Sequence, residues 1–180
     1  MALYGNPALS GREREFRADE IIVSKTDLSG KLTYGNRTFY KMAGLSEKQC
    51  LGQPHNIIRH PEMPRSVFEF LWRTLQSGKE LFAYVNNRSY DGDNYWVFAH
   101  VTPSLDGSGN VTGYHSNRRA PNRKIVDGNI VPLYRDLLKI EKSAASPKKA
   151  LEDGYAQIEG LLQESKMNFN EFMFSLEDAA

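Results

Sequence analysis

Residues 52 to 64, Gly-Gln-Pro-His-Asn-Ile-Ile-Arg-His-Pro-Glu-Met-Pro, constrain the fold of this chain more than any other segment. Its three prolines exclude a continuous helix or a central strand, because proline lacks an amide donor and fixes its own φ. Each proline also pushes the residue before it toward extended geometry. Only about one helical turn fits between the prolines, and it carries His55, Asn56, Arg59 and His60. A short, kinked segment that presents a cation, an amide and two imidazoles is typical of the wall of a ligand pocket.

The segments around the proline-rich stretch predict strands first and helices second. Residues 20–26 and 32–34 predict a hairpin, because β-rich runs flank a cluster of turn residues. Asn36 precedes a helical stretch, and Ser46-Glu-Lys-Gln49 matches the capping box that begins another short helix. Residues 66–77 repeat apolar side chains at three- and four-residue spacing, which predicts the clearest helix of the domain.

Three further strands are predicted beyond that helix. They cover residues 81–88, 95–102 and 111–116, and glycine-containing turns join them. Such turns favour an antiparallel meander. The order is therefore two strands, several short helices and three strands, which indicates an α+β fold.

Several motifs resemble a PAS domain, and specifically the flavin-binding PAS sensor of the Aer-type aerotaxis (energy-taxis) receptors. The general PAS pattern consists of Asn36, Phe39 and Gly44 together with the run Gly92-Asp-Asn-Tyr-Trp. The run Arg-His-Pro-Glu-Met-Pro at 59–64 is narrower and selects the Aer-like branch. The resemblance covers roughly residues 21–119. It implies a five-stranded antiparallel sheet with short helices over one face, with C-terminal helices added here.

The resemblance also implies which side chains bind FAD. Residues matching Arg59 and His60 are implicated in flavin binding in the family, and a guanidinium offers planar charged donors to a pyrophosphate or a ring edge. A strand asparagine at the position of Asn87 lies in the family's flavin pocket. Asn36 can supply a second amide to the ring edge, or it can serve only as a helix cap.

Aromatic and imidazole groups complete the predicted site. Phe68 and Trp72 share a helix face, where they contribute to the core and to the pocket. Tyr95 and Trp96 point to opposite faces of one strand, so only one of them can face a cofactor. His55 occupies the position comparable to the reactive cysteine of photosensory LOV domains. This chain departs from the Aer-like pattern at two positions, with Leu81 in place of a Trp and Glu62 in place of an Asp.

Other cofactors and other classes of function remain open at this point. Haem is the second cofactor choice, with His55, His60, His100 and His115 as candidate ligands. A cofactor-free PAS module that acts as a scaffold or dimerisation domain is the rival class. Cys50 is expected to be a small buried residue. No nucleophile–base–acid set, Gly-rich phosphate loop or pair of carboxylates is recognisable, so we expect a protein that is not an enzyme.

Composition limits the environment and the partners. A formal net charge of +1 argues against binding nucleic acid through broad electrostatics. No apolar run approaches the ~20 residues that span a bilayer, and residues 1–7 do not read as a signal peptide. A single cysteine excludes an intramolecular disulfide and fits a reducing compartment. We therefore expect a cytoplasmic protein without a membrane span.

The chain divides into an N-terminal cap (1–19), a PAS sensor domain (20–120) and a linker with a C-terminal helical region (121–180). Beyond a predicted linker and a helix over 131–142, apolar residues recur at heptad spacing, which indicates a helix that packs along another helix. These residues are Leu151, Tyr155, Ile158, Leu162, Phe169, Phe172 and Leu176. We expect this seam to dock on a membrane-bound chemoreceptor, another signalling protein or a second copy of the chain. The alternative is that it folds back over the sheet.

Overall fold

A computed structural model of the protein describes residues 8–178. Five strands form one antiparallel sheet in the order β2-β1-β5-β4-β3. The strands are β1 (Ile22–Thr26), β2 (Leu32–Gly35), β3 (Leu81–Arg88), β4 (Asn94–Leu105) and β5 (Val111–Arg119). The predicted α+β fold with a five-stranded antiparallel sheet is confirmed.

Short helices cross one face of the sheet, hereafter the inner face. They are α1 (Arg37–Ala43), α2 (Glu47–Cys50), a 3₁₀ turn (His55–Ile58) and α3 (Arg65–Gln76). The capping box at Ser46 is present, and α3 ends as predicted just before Gly78. Pro54 directly precedes the 3₁₀ turn, where a proline is tolerated, and Pro61 lies three residues beyond its end, where the missing N–H opposes continuation as a longer helix.

Side chains alternate between the two faces along each strand. In β3, Val85 and Asn87 face inward, and the register places Val97 and Tyr95 of β4 opposite them. Tyr84 and Trp96 lie on the outer face, where Trp96 packs against Tyr134 with ring centroids 6.2 Å apart.

The C-terminal helices cover part of the outer face and one edge of the sheet. They are α4 (Arg123–Ile125), a π-helical turn (Val126–Ile130), α5 (Val131–Ser143), α6 (Pro147–Ser165) and α7 (Phe169–Asp178). Tyr134 of α5 donates a hydrogen bond of 2.6 Å to the backbone oxygen of Tyr84 in β3. Phe174 of α7 contacts Phe82 and Phe98 on the same face.

The prediction of an irregular linker before α5 was wrong for residues 123–130, which are helical. Ile125, Val126 and Ile130 are each 0% exposed, so their burial outweighs the low helix propensity of Gly128.

The predicted N-terminal cap is only partly described. Residues 8–16 run along the β3–β4 hairpin, where Glu13 forms a bridge with Asn94, and residues 1–7 lie outside the described range.

The predicted seam is not one continuous helix. Helix α6 ends at Ser165, the polar position within the heptad pattern, and Lys166 adopts a left-handed φ of 55°. Ile158 and Phe169 are 4% and 6% exposed, because α6 packs on α3 and α5 and α7 packs on β3. The seam therefore packs on its own domain, but only α7 lies over the sheet as the alternative given above predicts, because α6 packs on helices. Contact with a receptor or a second copy stays a prediction.

Helix α3 receives its N-terminal cap from α5. Pro64 precedes α3 and its side chain has no hydrogen-bond acceptor. Instead, the Glu141 carboxylate accepts hydrogen bonds from the backbone N–H groups of Arg65 (3.0 Å) and Ser66 (2.8 Å) and from the Ser66 hydroxyl (2.8 Å). A carboxylate at a helix N-terminus satisfies free N–H groups and complements the helix dipole.

We predict that Glu141→Ala lowers the free energy of unfolding by about 1–2 kcal/mol, because the first turn of α3 loses its acceptor. Urea denaturation of the variant and the wild type measures this difference. Glu164→Ala is the matched control, since Glu164 is exposed on α6. Equal losses in the two variants would show that the cap contributes nothing specific.

Candidate functional site

A cavity of about 210 Å³ lies between the inner face of the sheet and the helices that cross it. Its walls are mainly apolar, with Phe68, Leu71 and Trp72 of α3 on one side and Val85 and Ala99 of the sheet on the other. Cavities of roughly 150 Å³ already admit a benzene ring. This cavity can therefore hold a planar ring in an apolar environment.

The proline-rich stretch forms one wall of the cavity. Arg59 directly follows the 3₁₀ turn, and its backbone forms an isolated antiparallel bridge with Asn87 of β3. Its guanidinium donates a 2.9 Å hydrogen bond to the Met63 carbonyl oxygen and lies 4.5 Å from the centre of the Phe68 ring. A carbonyl oxygen and an aromatic face thus stabilise the positive charge of Arg59.

A second cation, Arg118 of β5, lies deeper in the site. One of its terminal nitrogens lies 2.7 Å from Ser24 Oγ and 2.7 Å from His55 Nε2. Burial, and then the neighbouring Arg118, lower the pKa of His55 to about 3, so His55 is neutral near pH 7 and Nε2 accepts the hydrogen bond. Burial lowers the pKa of Arg118 to about 10, so Arg118 keeps its charge.

Several buried polar atoms in the cavity wall have no hydrogen-bond partner among the described residues. They are Thr26 Oγ1, Asn87 Nδ2, Ser116 Oγ and Arg118 Nη1. Leaving a buried polar group unsatisfied costs about 1–3 kcal/mol. Four such groups around one cavity are therefore available to the polar edge of a ligand or to ordered water.

The structure brings together five of the nine side chains predicted from the sequence. His55, Arg59, Phe68, Trp72 and Asn87 all line the cavity. They come from the 3₁₀ turn and its end, from α3 and from β3. The bridge between residues 59 and 87 joins the end of the 3₁₀ turn to β3 at the edge of the sheet.

The other four predicted side chains do not line the cavity. Asn36 caps α1, since its Oδ1 accepts from the backbone N–H of Phe39 at 2.9 Å and its Nδ2 donates to the Ile21 oxygen at 2.8 Å. The two asparagines therefore do not face each other across a ligand. His60 is 5% exposed, and its Nδ1 accepts from the backbone N–H of Glu62 at 3.3 Å.

Tyr95 and Trp96 lie on opposite faces of β4, as expected. Tyr95 points inward and is 0% exposed, but it is packed below the surface of the cavity and burial raises the pKa of its hydroxyl. Trp96 belongs to the contact with α5 on the outer face. Leu81, which replaces a family Trp, is 1% exposed and is absent from the cavity wall.

The sequence interpretation missed the polar groups of the central strands, namely Ser24, Thr26, Ser116 and Arg118. A signal exists in β1, because two of its three buried inward positions, Ser24 and Thr26, are polar and only Ile22 is apolar. In β5 both faces carry polar residues, so the alternation does not show that Ser116 and Arg118 point inward.

The cysteine and the four histidines differ in their position relative to the cavity. Cys50 is buried and free and lies outside the cavity wall, and burial raises the pKa of its thiol to about 11. His55 and His115 line the cavity, whereas His60 and His100 do not. Across residues 8–178, no three His, Cys, Asp or Glu side chains are grouped to hold a metal ion.

Comparison with known proteins finds relatives of the region that contains the cavity. Residues 32–118 match the family described as the PAS fold. Over 136 residues the chain is 35% identical to the aerotaxis receptor of Escherichia coli K12, covering 75% of this chain and 26% of that receptor. It is 28% identical over 99 residues to a nitrogen fixation regulatory protein of Klebsiella pneumoniae, covering 55% of this chain and 20% of the relative. The chain thus spans about a quarter or less of these relatives.

Solved structures share the fold. A light-oxygen-voltage domain studied with a flavin analogue superimposes with a TM-score of 0.55 at 18% identity, covering 64% of this chain and 87% of that one. The light state of the blue-light photoreceptor Aureochrome1 LOV gives 0.55 at 18% identity, covering 62% and 88%. At this identity the likeness shows the fold alone.

None of the helices within residues 8–178 is long and apolar enough to cross a membrane.

We predict that His55 makes stability depend on pH. Its pKa is about 3 in the folded protein and about 6.5 in an unfolded chain. Between these values the unfolded state binds more protons, so stability falls as the pH falls. His55→Gln removes this contribution, and urea denaturation at about pH 7 and about pH 5 should show a weaker pH dependence than in the wild type. An identical pH dependence in both proteins would contradict the prediction.

Proposed function

We propose that this chain, which carries a PAS domain resembling that of aerotaxis receptors, is a sensor that binds a flavin in the inner cavity. The flavin is FAD, as the resemblance implies, and the signal is the redox or energy state of the cell. The sensor acts in the cytoplasm and passes its state to a membrane-bound chemoreceptor or another signalling protein by direct contact.

The observation that carries this proposal is the set of unsatisfied polar atoms in an apolar, aromatic-walled cavity. An isoalloxazine ring is flat and apolar on its faces and carries carbonyl and nitrogen groups along one edge. Phe68 and Trp72 supply aromatic surface for such a ring, and Asn87 Nδ2 and Arg118 Nη1 supply free donors. The residues present therefore fit the group.

When bound, a flavin supplies a ring that accepts electrons and gains negative charge on reduction. The protein's part is to bind and orient the ring and to respond to that charge. Asn87 can donate to an edge oxygen, and Arg118 carries a positive charge in a site with little water, where electrostatic interactions are strong. The 3₁₀ turn with Arg59 closes one wall.

The C-terminal helices are suited to carry a signal away from the cavity. Helix α3 lines the cavity with three apolar side chains, and its N-terminus is held by Glu141 of α5. Gly154 of α6 lies so close to Ser66 that an added Cβ would approach the Ser66 Cβ to 2.7 Å. A shift of α3 therefore disturbs α5 and α6, which is how a ligand can bias two arrangements of a helical region.

The visible absorption spectrum of the purified protein tests the proposal. Bands of oxidised flavin, with the cofactor released as FAD on denaturation, would support it. A Soret band would indicate haem instead, and a colourless protein that takes up no added flavin would favour the cofactor-free module.

We predict that Asn87→Ala weakens flavin binding by about tenfold, because one hydrogen bond to the ring edge is lost. The flavin-to-protein ratio after dialysis and a fluorescence titration with FAD measure the effect. Asn86→Ala is the matched control, since Asn86 is the neighbouring buried residue on the opposite face of β3. Equal loss of flavin from both variants would contradict a specific role for Asn87.

A further inference from the structure

The position of Arg118 is fixed by two neighbouring strands. Its backbone lies opposite Ile22 of β1 and Ala99 of β4, so β5 cannot rotate to release the side chain. Arg118 is 4% exposed and projects from the inner face of the sheet into the cavity wall. A guanidinium held in this way is already placed for a ligand.

The charge of Arg118 is not compensated by the protein. Its partners are the neutral groups Ser24 Oγ and His55 Nε2, its Nη1 has no partner, and the Phe39 ring lies 5.7 Å away. Within residues 8–178, no carboxylate forms an ion pair with it. Buried cations are normally paired, because removing a charge from water is costly.

The other groups of the cavity cannot supply the missing negative charge. Arg59 is itself cationic and is engaged by Met63 and Phe68. His55 is neutral near pH 7, and the residues that line the cavity include no aspartate or glutamate. The cavity therefore carries a net positive charge with a free donor directed by a rigid strand.

We propose that Arg118 anchors the negatively charged or negatively polarised edge of a planar aromatic ligand, and that this residue makes the cavity selective for such ligands over neutral ones of the same shape. The application to a flavin rests on the function proposed above. In a flavin, this edge is the one that gains negative charge on reduction. Arg118 accordingly takes the contact with the ring edge that the sequence analysis gave as one of two possible roles of Arg59.

A pair of one-ring probes tests this selectivity without requiring a flavin. Benzoate and benzamide have nearly the same shape but differ in charge, and a cavity of about 210 Å³ has room for a ring of this size. Each is titrated into ligand-free protein while the tryptophan fluorescence is followed. Trp72 lies in the cavity wall, whereas the second tryptophan, Trp96, packs against α5 on the outer face. We expect benzoate to bind at least about tenfold more tightly than benzamide, because hydrogen bonds to charged groups are the stronger ones.

Three variants identify the group responsible. Arg118→Gln should remove the preference for benzoate, and Arg118→Lys should keep part of it because the positive charge remains. Arg119→Gln is the matched control, since Arg119 is exposed on the opposite face of β5, and it should keep the full preference. Equal binding of the two probes by the wild type, or a preference that survives Arg118→Gln, would overturn the proposal.

A stability measurement separates ligand binding from structural support. In Arg118→Met, Ser24 Oγ and His55 Nε2, which lie 3.1 Å apart, can bond to each other. The ligand-free variant should therefore unfold at the same urea concentration as the wild type or a higher one, because an uncompensated buried charge is gone. A clear loss of stability would assign Arg118 to the support of the fold and would also overturn the proposal.

The two proposals can fail separately. Selective binding of benzoate by a protein that takes up no flavin would leave the role of Arg118 standing and would remove the flavin function. Uptake of flavin together with equal binding of benzoate and benzamide would leave the flavin function standing and would overturn the role of Arg118.

Discussion

The pairing of β5 with both β1 and β4 is the constraint on which the site depends. These two contacts join the N-terminal hairpin to the C-terminal meander, and their register turns Ser116 and Arg118 toward the same face as Ser24. A shift of one residue would turn these side chains outward and bring their neighbours inward. The walls of the cavity exist only in the observed register.

The unpartnered polar groups on the inner face of the sheet lower the stability of the fold and contribute little to its packing. The cavity forgoes dispersion contacts along its walls, and its free hydroxyl, amide and guanidinium groups have lost water without gaining partners. Such costs are typical of sites kept for a ligand rather than for stability. The support comes from elsewhere, through the caps of α1 and α3 and through the C-terminal helices that cover the outer face.

The sequence predicts the regular parts of this fold well and the site only in part. Helix α3 has a strong periodic pattern and β3 begins with a continuous apolar run, and the predicted bounds of both agree with the structure to within a residue. The prolines correctly placed His55 and Arg59 in a cavity wall, whereas Asn36 and His60 are occupied by local hydrogen bonds that depend on exact backbone positions. Arg118 was missed because the alternation in β5 is polar on both faces.

The central claim is that a planar ligand edge satisfies the free donors of the inner cavity. A crystal structure of the chain, purified with whatever it binds after growth with sufficient riboflavin, tests this most directly. We expect a flat ring between α3 and the sheet, with polar edge atoms within hydrogen-bonding distance of Asn87 Nδ2 and Arg118 Nη1. A cavity filled by rearranged protein side chains, with Arg118 paired to a carboxylate of its own chain, would contradict it.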